Sequence, residues 1–208
     1  AKRIALIMEI FVDGSLNIFN HRTNVDVENR VIVYGMRDLG AELSGIAMLV
    51  MLEAIRQRII RNFELGKATW LYVDEFQVLI GKPFSRNYFI ALWAEVRKLG
   101  GLCTGITQNV VTVLKDPITS TLISNSEYTM LLRQAAPDAA ALGKALEGLS
   151  EAQIKYTTNA APGTGLIRFG GTILPFDNQI PSDNPVYDVY NTNMHEKAAK
   201  KKAETAIG

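Results

Sequence analysis

Cysteine is nearly absent. The 208 residues include one, Cys103, so no disulfide can form within the chain. Histidine is as scarce, with His21 and His195 alone, which makes a structural zinc site of Cys and His ligands a poor reading. Both points predict a reducing, cytoplasmic setting. An excess of charge of one sign is missing too: 22 Lys and Arg against 21 Asp and Glu leave a net charge of +1. That excludes the overall basic footprint of a non-specific DNA binder and leaves room only for a local patch. Long apolar runs are also lacking. The longest, Ile46–Leu52, is far below the roughly 18–20 residues a membrane span needs. The first residues hold no adequate signal-peptide core. They start on a strand-like pattern without a Met, which predicts a piece of a longer protein.

What is present is the composition of a folded protein. Hydrophobic residues make up 48% and charged residues 21%, which excludes disorder over most of the length. Ile4–Phe11 reads as a strand, with Leu16–Phe19 as a hairpin partner across Asp13-Gly14-Ser15, and Val31–Tyr34 as a second short strand. Ile46, Leu49, Leu52, Ile55, Ile59 and Phe63 recur at helical steps and predict a long helix over Glu42–Phe63, stopped at Gly66. Thr69–Val73 is a strand. A helix capped by Ser85 runs to Leu99 and ends at Gly100-Gly101. Leu102–Ile106 is a strand, Asp116–Ser124 a short helix and Glu127–Leu132 a strand. Pro137–Leu146 and Ser150–Ile154 are helical. Leu166–Phe169 and Thr172–Phe176 flank Gly170-Gly171 as a C-terminal β-hairpin. From Asp177 on, Pro, Asn and Asp predict an extended tail, closed by the Lys-rich run His195–Ala206. Residues 1–176 thus form the folded portion and 177–208 the tail.

Strands alternating with helices from Val31 to Leu146 predict an α/β fold with a mostly parallel sheet flanked by helices. In such sheets ligands bind at the carboxyl edge. Trp70-Leu71-Tyr72-Val73 ends there on Asp74-Glu75. An apolar strand followed by two acids matches the Walker B pattern: a rigidly held Asp74 to orient water on a magnesium ion, and Glu75 to polarise the attacking water. One βα unit later Thr107-Gln108-Asn109 ends the next strand, where Gln108 suits a γ-phosphate contact. Arg133-Gln134 follows Glu127–Leu132 and offers a cation for phosphate, as does Arg97-Lys98 at a helix end. Cys103 reads as a small core residue.

A phosphate-cradling P-loop is missing from these residues. Gly66-Lys67, Gly81-Lys82 and Gly143-Lys144 are followed by Ala68, Pro83 and Ala145, and none completes Gly-x4-Gly-Lys-Ser/Thr. Gly163-Thr164-Gly165 lacks the third glycine of a dinucleotide fingerprint, because position 168 is Arg168.

Phe19-Asn20-His21-Arg22-Thr23-Asn24, Tyr72-Val73-Asp74-Glu75-Phe76, Arg97-Lys98-Leu99-Gly100-Gly101, Gly105-Ile106-Thr107-Gln108-Asn109, Asn125-Ser126 and Gly163-Thr164-Gly165-Leu166 occur in this order. Together they resemble the C-terminal ATPase domain of the VirB/TraC-type conjugal transfer ATPases of type IV secretion systems, in the form carried by conjugative transposons. The resemblance spans Ile4 to Asn193. It implies a RecA-like P-loop NTPase core of the FtsK/HerA type, truncated on its N-terminal side, since the family's Walker A lies upstream. It implies ATP and Mg2+ as cofactors, assembly into dimers or hexamers, other type IV secretion components as partners, and work at the inner face of the cell membrane. It also implies roles for particular residues: Asp74 on the magnesium side, Glu75 as catalytic base, Gln108 as γ-phosphate sensor, Arg133 as a phosphate-reaching cation, and Thr107 and Gln134 beside the nucleotide. Two other readings stand beside this one. The missing P-loop suits a non-catalytic oligomerisation or docking module. The long helix's arginines and the Lys-rich tail suit contact with DNA.

Overall fold

The structure, a computed structural model, describes residues 2–14, 17, 20–22, 26–35, 41–115, 117–146 and 148–198. Most of the expected hairpin partner Leu16–Phe19, and residues 199–206 of the Lys-rich run, lie outside the described residues. The chain divides into two compact units, Ala1–Leu71 with Glu95–Cys103, and Tyr72–Ala94 with Thr104–Gly208.

In the first unit, α1 (Lys2–Val12) is a helix where a strand was expected. The reason is legible in hindsight. The apolar residues are nearly continuous rather than alternating, and Ala5, Leu6, Met8 and Glu9 are good helix formers. α2 (Ala41–Glu64) matches expectation and buries Met48, Leu52 and Ile59 on one stripe. It ends at Gly66, whose φ of 68° is open to a residue without Cβ. Residues 31–34 form no strand. The chain before them is tied to α2 instead: the Arg58 guanidinium donates to the carbonyls of Val27, Glu28 (3.3 Å) and Asn29 (3.2 Å).

Two strands, β1 (Thr69–Val73) and β2 (Gly101–Gly105), pair in parallel. Thr69 N–H donates to Gly100 O (3.4 Å) at their starts, and Ile106 N–H donates to Val73 O (2.9 Å) at their ends.

In the second unit, α3 (Phe76–Ile80) follows β1 directly. α4 (Pro83–Glu95) starts at Pro83, ahead of the expected cap. Ser85 is wholly buried in its first turn, where its hydroxyl donates to the Leu79 and Lys82 carbonyls. The 3-10 stretch that follows, Val96–Leu99, belongs to the first unit and is ended by Gly100 at φ 62°. Then come α5 (Val110–Leu114), α6 (Pro117–Ser124), β3 (Tyr128–Leu131), α7 (Ala136–Ala145), α8 (Glu151–Asn159), β4 (Thr164–Phe169), β5 (Thr172–Asp177) and α9 (Tyr187–Tyr190).

The expectation of one mostly parallel sheet is corrected here. Parallel pairing among the described residues is confined to β1 and β2, while β3, β4 and β5 form a separate antiparallel sheet. The β3–β4 register sets Tyr128 opposite Phe169 and Leu131 opposite Leu166. Gly165 permits that approach, because a Cβ there would stand 2.3 Å from the Leu131 carbonyl oxygen. The expected C-terminal hairpin is present as β4–β5. Val110, Leu131, Leu142, Leu146 and Leu166 close a core that joins α5, β3, α7 and β4. Burial of each such side chain contributes about 1.5–3 kcal/mol, so the start of α5 is held firmly. That matters because the loop before it carries Thr107 and Gln108.

Candidate functional site

β1 delivers its last apolar residue, Val73, to the interior and then turns outward through Asp74 and Glu75. Glu75 adopts left-handed backbone angles, φ 49° and ψ 43°, and is the one non-glycine residue with positive φ among the described residues. That conformation costs a non-glycine residue about 1–2 kcal/mol, and several bonds hold it. Asp74 Oδ1 accepts the Glu75 N–H (2.9 Å), and Glu75 O accepts the Val78 N–H (2.8 Å) to start α3. Phe76 N–H donates to Ile106 O (2.8 Å), which pins the start of α3 to the end of β2. Behind the turn, the Phe76 ring is buried, stacked on Trp93 at 5.1 Å and edge-on to Phe89 at 5.5 Å.

The second loop comes in from β2. Gln108 Nε2 donates to Glu75 Oε1 at 2.6 Å. Gln77, in the first turn of α3, donates from Nε2 to Glu75 Oε2. Thr107 Oγ1 donates to Gln77 Oε1 at 2.6 Å and accepts the Asn109 N–H at 3.2 Å. Asn109 in turn caps α5 by accepting the Thr112 N–H (3.0 Å), and Asp138 of α7 accepts the Val111 N–H (3.2 Å). The two loops therefore close on one carboxylate, each oxygen of which accepts one amide donor.

Asp74, Glu75, Thr107 and Gln108 are thus brought together at the ends of β1 and β2. Arg133 and Gln134 are not joined to them by any hydrogen bond. Among the described residues Arg133 is exposed and has no polar partner. Gln134 is engaged elsewhere: its N–H donates to Thr157 O (3.1 Å) and its side chain turns back to Leu132 O (3.0 Å). Sequence reasoning missed Gln77. The signal was the Gln two residues beyond Glu75, in the first turn of a helix that begins directly at the strand end.

Among the described residues no cluster of three or more His, Cys, Asp or Glu can hold a metal ion. One carboxylate, Asp74, with one oxygen already bonded, suits a magnesium ion that keeps its waters and takes its other ligands from phosphates. Cys103 is half-buried and burial pushes its thiol up to about 12, so it is no nucleophile near neutrality. No helix among the described residues is long and apolar enough to cross a membrane.

No family model matches the sequence, and no curated protein matches it. The fold is similar to that of a solved structure, VirB4 of Thermoanaerobacter pseudethanolicus, with a TM-score of 0.67 and 24% identity over 87% of this chain and 50% of that one. The likeness is one of fold, mixed α/β with a parallel and an antiparallel sheet, and this chain matches half the length of that protein.

Proposed function

We propose that this chain is the C-terminal part of a VirB4-type ATPase that hydrolyses ATP to power type IV secretion during conjugation. The observation that carries the reading is the contact of Glu75 with Gln108 at 2.6 Å, at the ends of two parallel strands. The likeness of the fold to VirB4 supports it. In this reading the core is RecA-like and residues 177–208 are a tail.

Glu75 is the general base: its carboxylate accepts a proton from the attacking water. Asp74 would hold a magnesium ion through a water, and when bound such an ion would supply charge neutralisation at the transferred phosphoryl group. Gln108 has a second amide hydrogen for a γ-phosphate oxygen while it bonds Glu75, so it senses whether that phosphate is present. Thr107 fixes the sensor loop. Arg133, exposed and without a polar partner among the described residues, is available to phosphate in its own or a neighbouring subunit. Gln134 needs to leave Leu132 O to take part.

The test is ATP hydrolysis with magnesium by this chain beside a version extended upstream through the family's Gly-rich Lys-Ser/Thr loop. Activity in the longer version, lost on Glu75→Gln, supports the proposal. Inactivity of the folded longer version overturns it. It then favours a second reading, a non-catalytic oligomerisation or docking module, for which the missing P-loop speaks.

A further inference from the structure

We infer that Gln77, fixed from behind by Thr107, is the positioning residue that holds the Glu75 carboxylate in its working orientation and links it to the sensor loop. The inference rests on the ATPase reading of the same site and adds to it a residue that the strand-end motifs do not include.

An ionised carboxylate only accepts, so the Gln77 atom facing Glu75 Oε2 is the amide nitrogen. The Gln77 carbonyl oxygen then faces away, and the Thr107 hydroxyl supplies the proton it needs at 2.6 Å. The Thr107 oxygen accepts the Asn109 N–H at 3.2 Å. Every donor in this chain points toward Glu75: Asn109 N–H to Thr107, Thr107 O–H to Gln77, and Gln77 N–H to Glu75. From the other side Gln108 donates to Glu75 Oε1. With one donor on each oxygen the plane of the carboxylate is set, and each oxygen keeps a lone pair free for the proton of a water. Such chains polarise one another and resist rotation at every link.

Their placement gives the relay a second consequence. Gln77 lies on α3 and Thr107 on the loop after β2, thirty positions apart. A displacement of Gln108 on phosphate binding pulls on the same loop that holds Gln77 through Thr107. The base and the sensor therefore move as a coupled pair. Gln77 touches no reacting atom itself and acts through Glu75.

The first test needs no nucleotide. In this chain, labelled with 15N, the side-chain amide signals of Gln77 and Gln108 stand apart from those of solvated glutamines. Gln77→Leu shifts the Gln108 signal, because Gln77 shares the Glu75 carboxylate with Gln108 and holds the neighbouring Thr107. Thr107→Val shifts the Gln77 signal, and Thr107→Ser, which keeps the hydroxyl, leaves it in place. An unmoved Gln108 signal in folded Gln77→Leu overturns the relay.

The second test uses the extended, ATP-hydrolysing version. Gln77→Leu lowers kcat by about 10–100-fold, the usual effect of losing a supporting hydrogen bond, with KM for MgATP unchanged. Thr107→Val does the same and Thr107→Ser restores the rate. If Gln77→Leu fails to fold, the Val and Ser variants at position 107 decide by themselves. Hydrolysis that is lost in Glu75→Gln and retained in folded Gln77→Leu overturns the relay alone. No hydrolysis in the unmutated version overturns the ATPase reading and the relay with it.

Discussion

Gln108 Nε2 lies 2.6 Å from Glu75 Oε1, a bond between residues 33 positions apart in the chain. It joins the turn after β1 to the loop after β2, and both loops are anchored on the protein side. Phe76 N–H is bound to Ile106 O, and Asn109 caps α5. If Glu75 is the base and Gln108 the sensor, the two substitutions have different signatures. Glu75→Gln is expected to lower kcat by about 10²–10⁴-fold, the usual loss for a general base. Gln108→Ala keeps the carboxylate itself and its Gln77 donor, but removes the donor on Oε1 together with the phosphate contact. It is expected to lower kcat less and to leave ATP binding close to normal. Steady-state kinetics on the extended version, with nucleotide affinity measured separately, checks both.

The turn that presents Glu75 is backed by aromatic packing. Phe76 is 5% exposed, and its ring meets Trp93 at 5.1 Å and Phe89 at 5.5 Å. A Cβ at Gly105 would stand 3.0 Å from it, so the ring fills its site without slack. Phe76→Ala is expected to cost about 3–5 kcal/mol of stability. Phe76→Leu, which keeps most of the volume, is expected to cost clearly less. Urea unfolding measures both. Trp93 emission is expected to change in both variants even in the native state, since its stacking partner is gone.

Local signals in the sequence were enough for most elements after position 40 and failed where distant chain decides. α2 was readable from its apolar stripe, β1 from its compact apolar run and α7 from Pro137 in its first turn. Residues 31–34 have the β-branched composition of a strand. They form no strand, and the chain just before them is held by Arg58, which takes the carbonyls of residues 27–29. β3 reads the same whether its neighbour is parallel or antiparallel. Its direction comes from distant chain, the register that sets Tyr128 opposite Phe169 and Leu131 opposite Leu166. At the site, Asp74, Glu75, Thr107 and Gln108 were legible because strand ends of an α/β unit meet at one edge. Gln77 was not, because it sits on a helix of about one and a half turns that follows the strand at once, and its partner Thr107 is thirty positions away.

The close approach at Gly165 gives a sharp stability test. Gly165→Ala places its methyl carbon against a main-chain oxygen at 2.3 Å, which no side-chain movement can relieve. The β3–β4 pairing has to shift, at an expected cost of about 1–3 kcal/mol, the range for overpacking. Gly171→Ala is the control, since a Cβ there meets nothing within 4 Å. It is expected to leave the unfolding midpoint close to that of the unmutated chain.

The cap of α8 offers an independent check on the second unit. Ser150 Oγ accepts the Gln153 N–H at 3.3 Å, and Gln153 Oε1 accepts the Ser150 N–H at 2.9 Å. Ser150→Ala removes one half of this reciprocal pair and is expected to cost about 1 kcal/mol. Gln153→Ala removes the other half, and the double variant is expected to cost less than the sum, because the two bonds support each other. Chemical denaturation of the four proteins closes the cycle.

Cys103 links burial to pH. Its thiol is pushed up from 9.0 to about 12 by burial, because removing the thiolate from water is costly. An unfolded chain ionises Cys103 near the lower value and the folded chain near the higher one. Below pH 9 both states carry the neutral thiol, and the group has no effect on the pH dependence of stability. Between pH 9 and about 12 the unfolded state loses the proton first, so stability falls as pH rises. Cys103→Ala abolishes that part of the decline, and comparing unfolding of the two chains across this range measures it. The same burial predicts that the native thiol reacts slowly with a disulfide reagent at pH 8, and that urea releases a rate typical of a free thiol. A fast native reaction would show that the thiolate is accessible and remove the basis for both expectations.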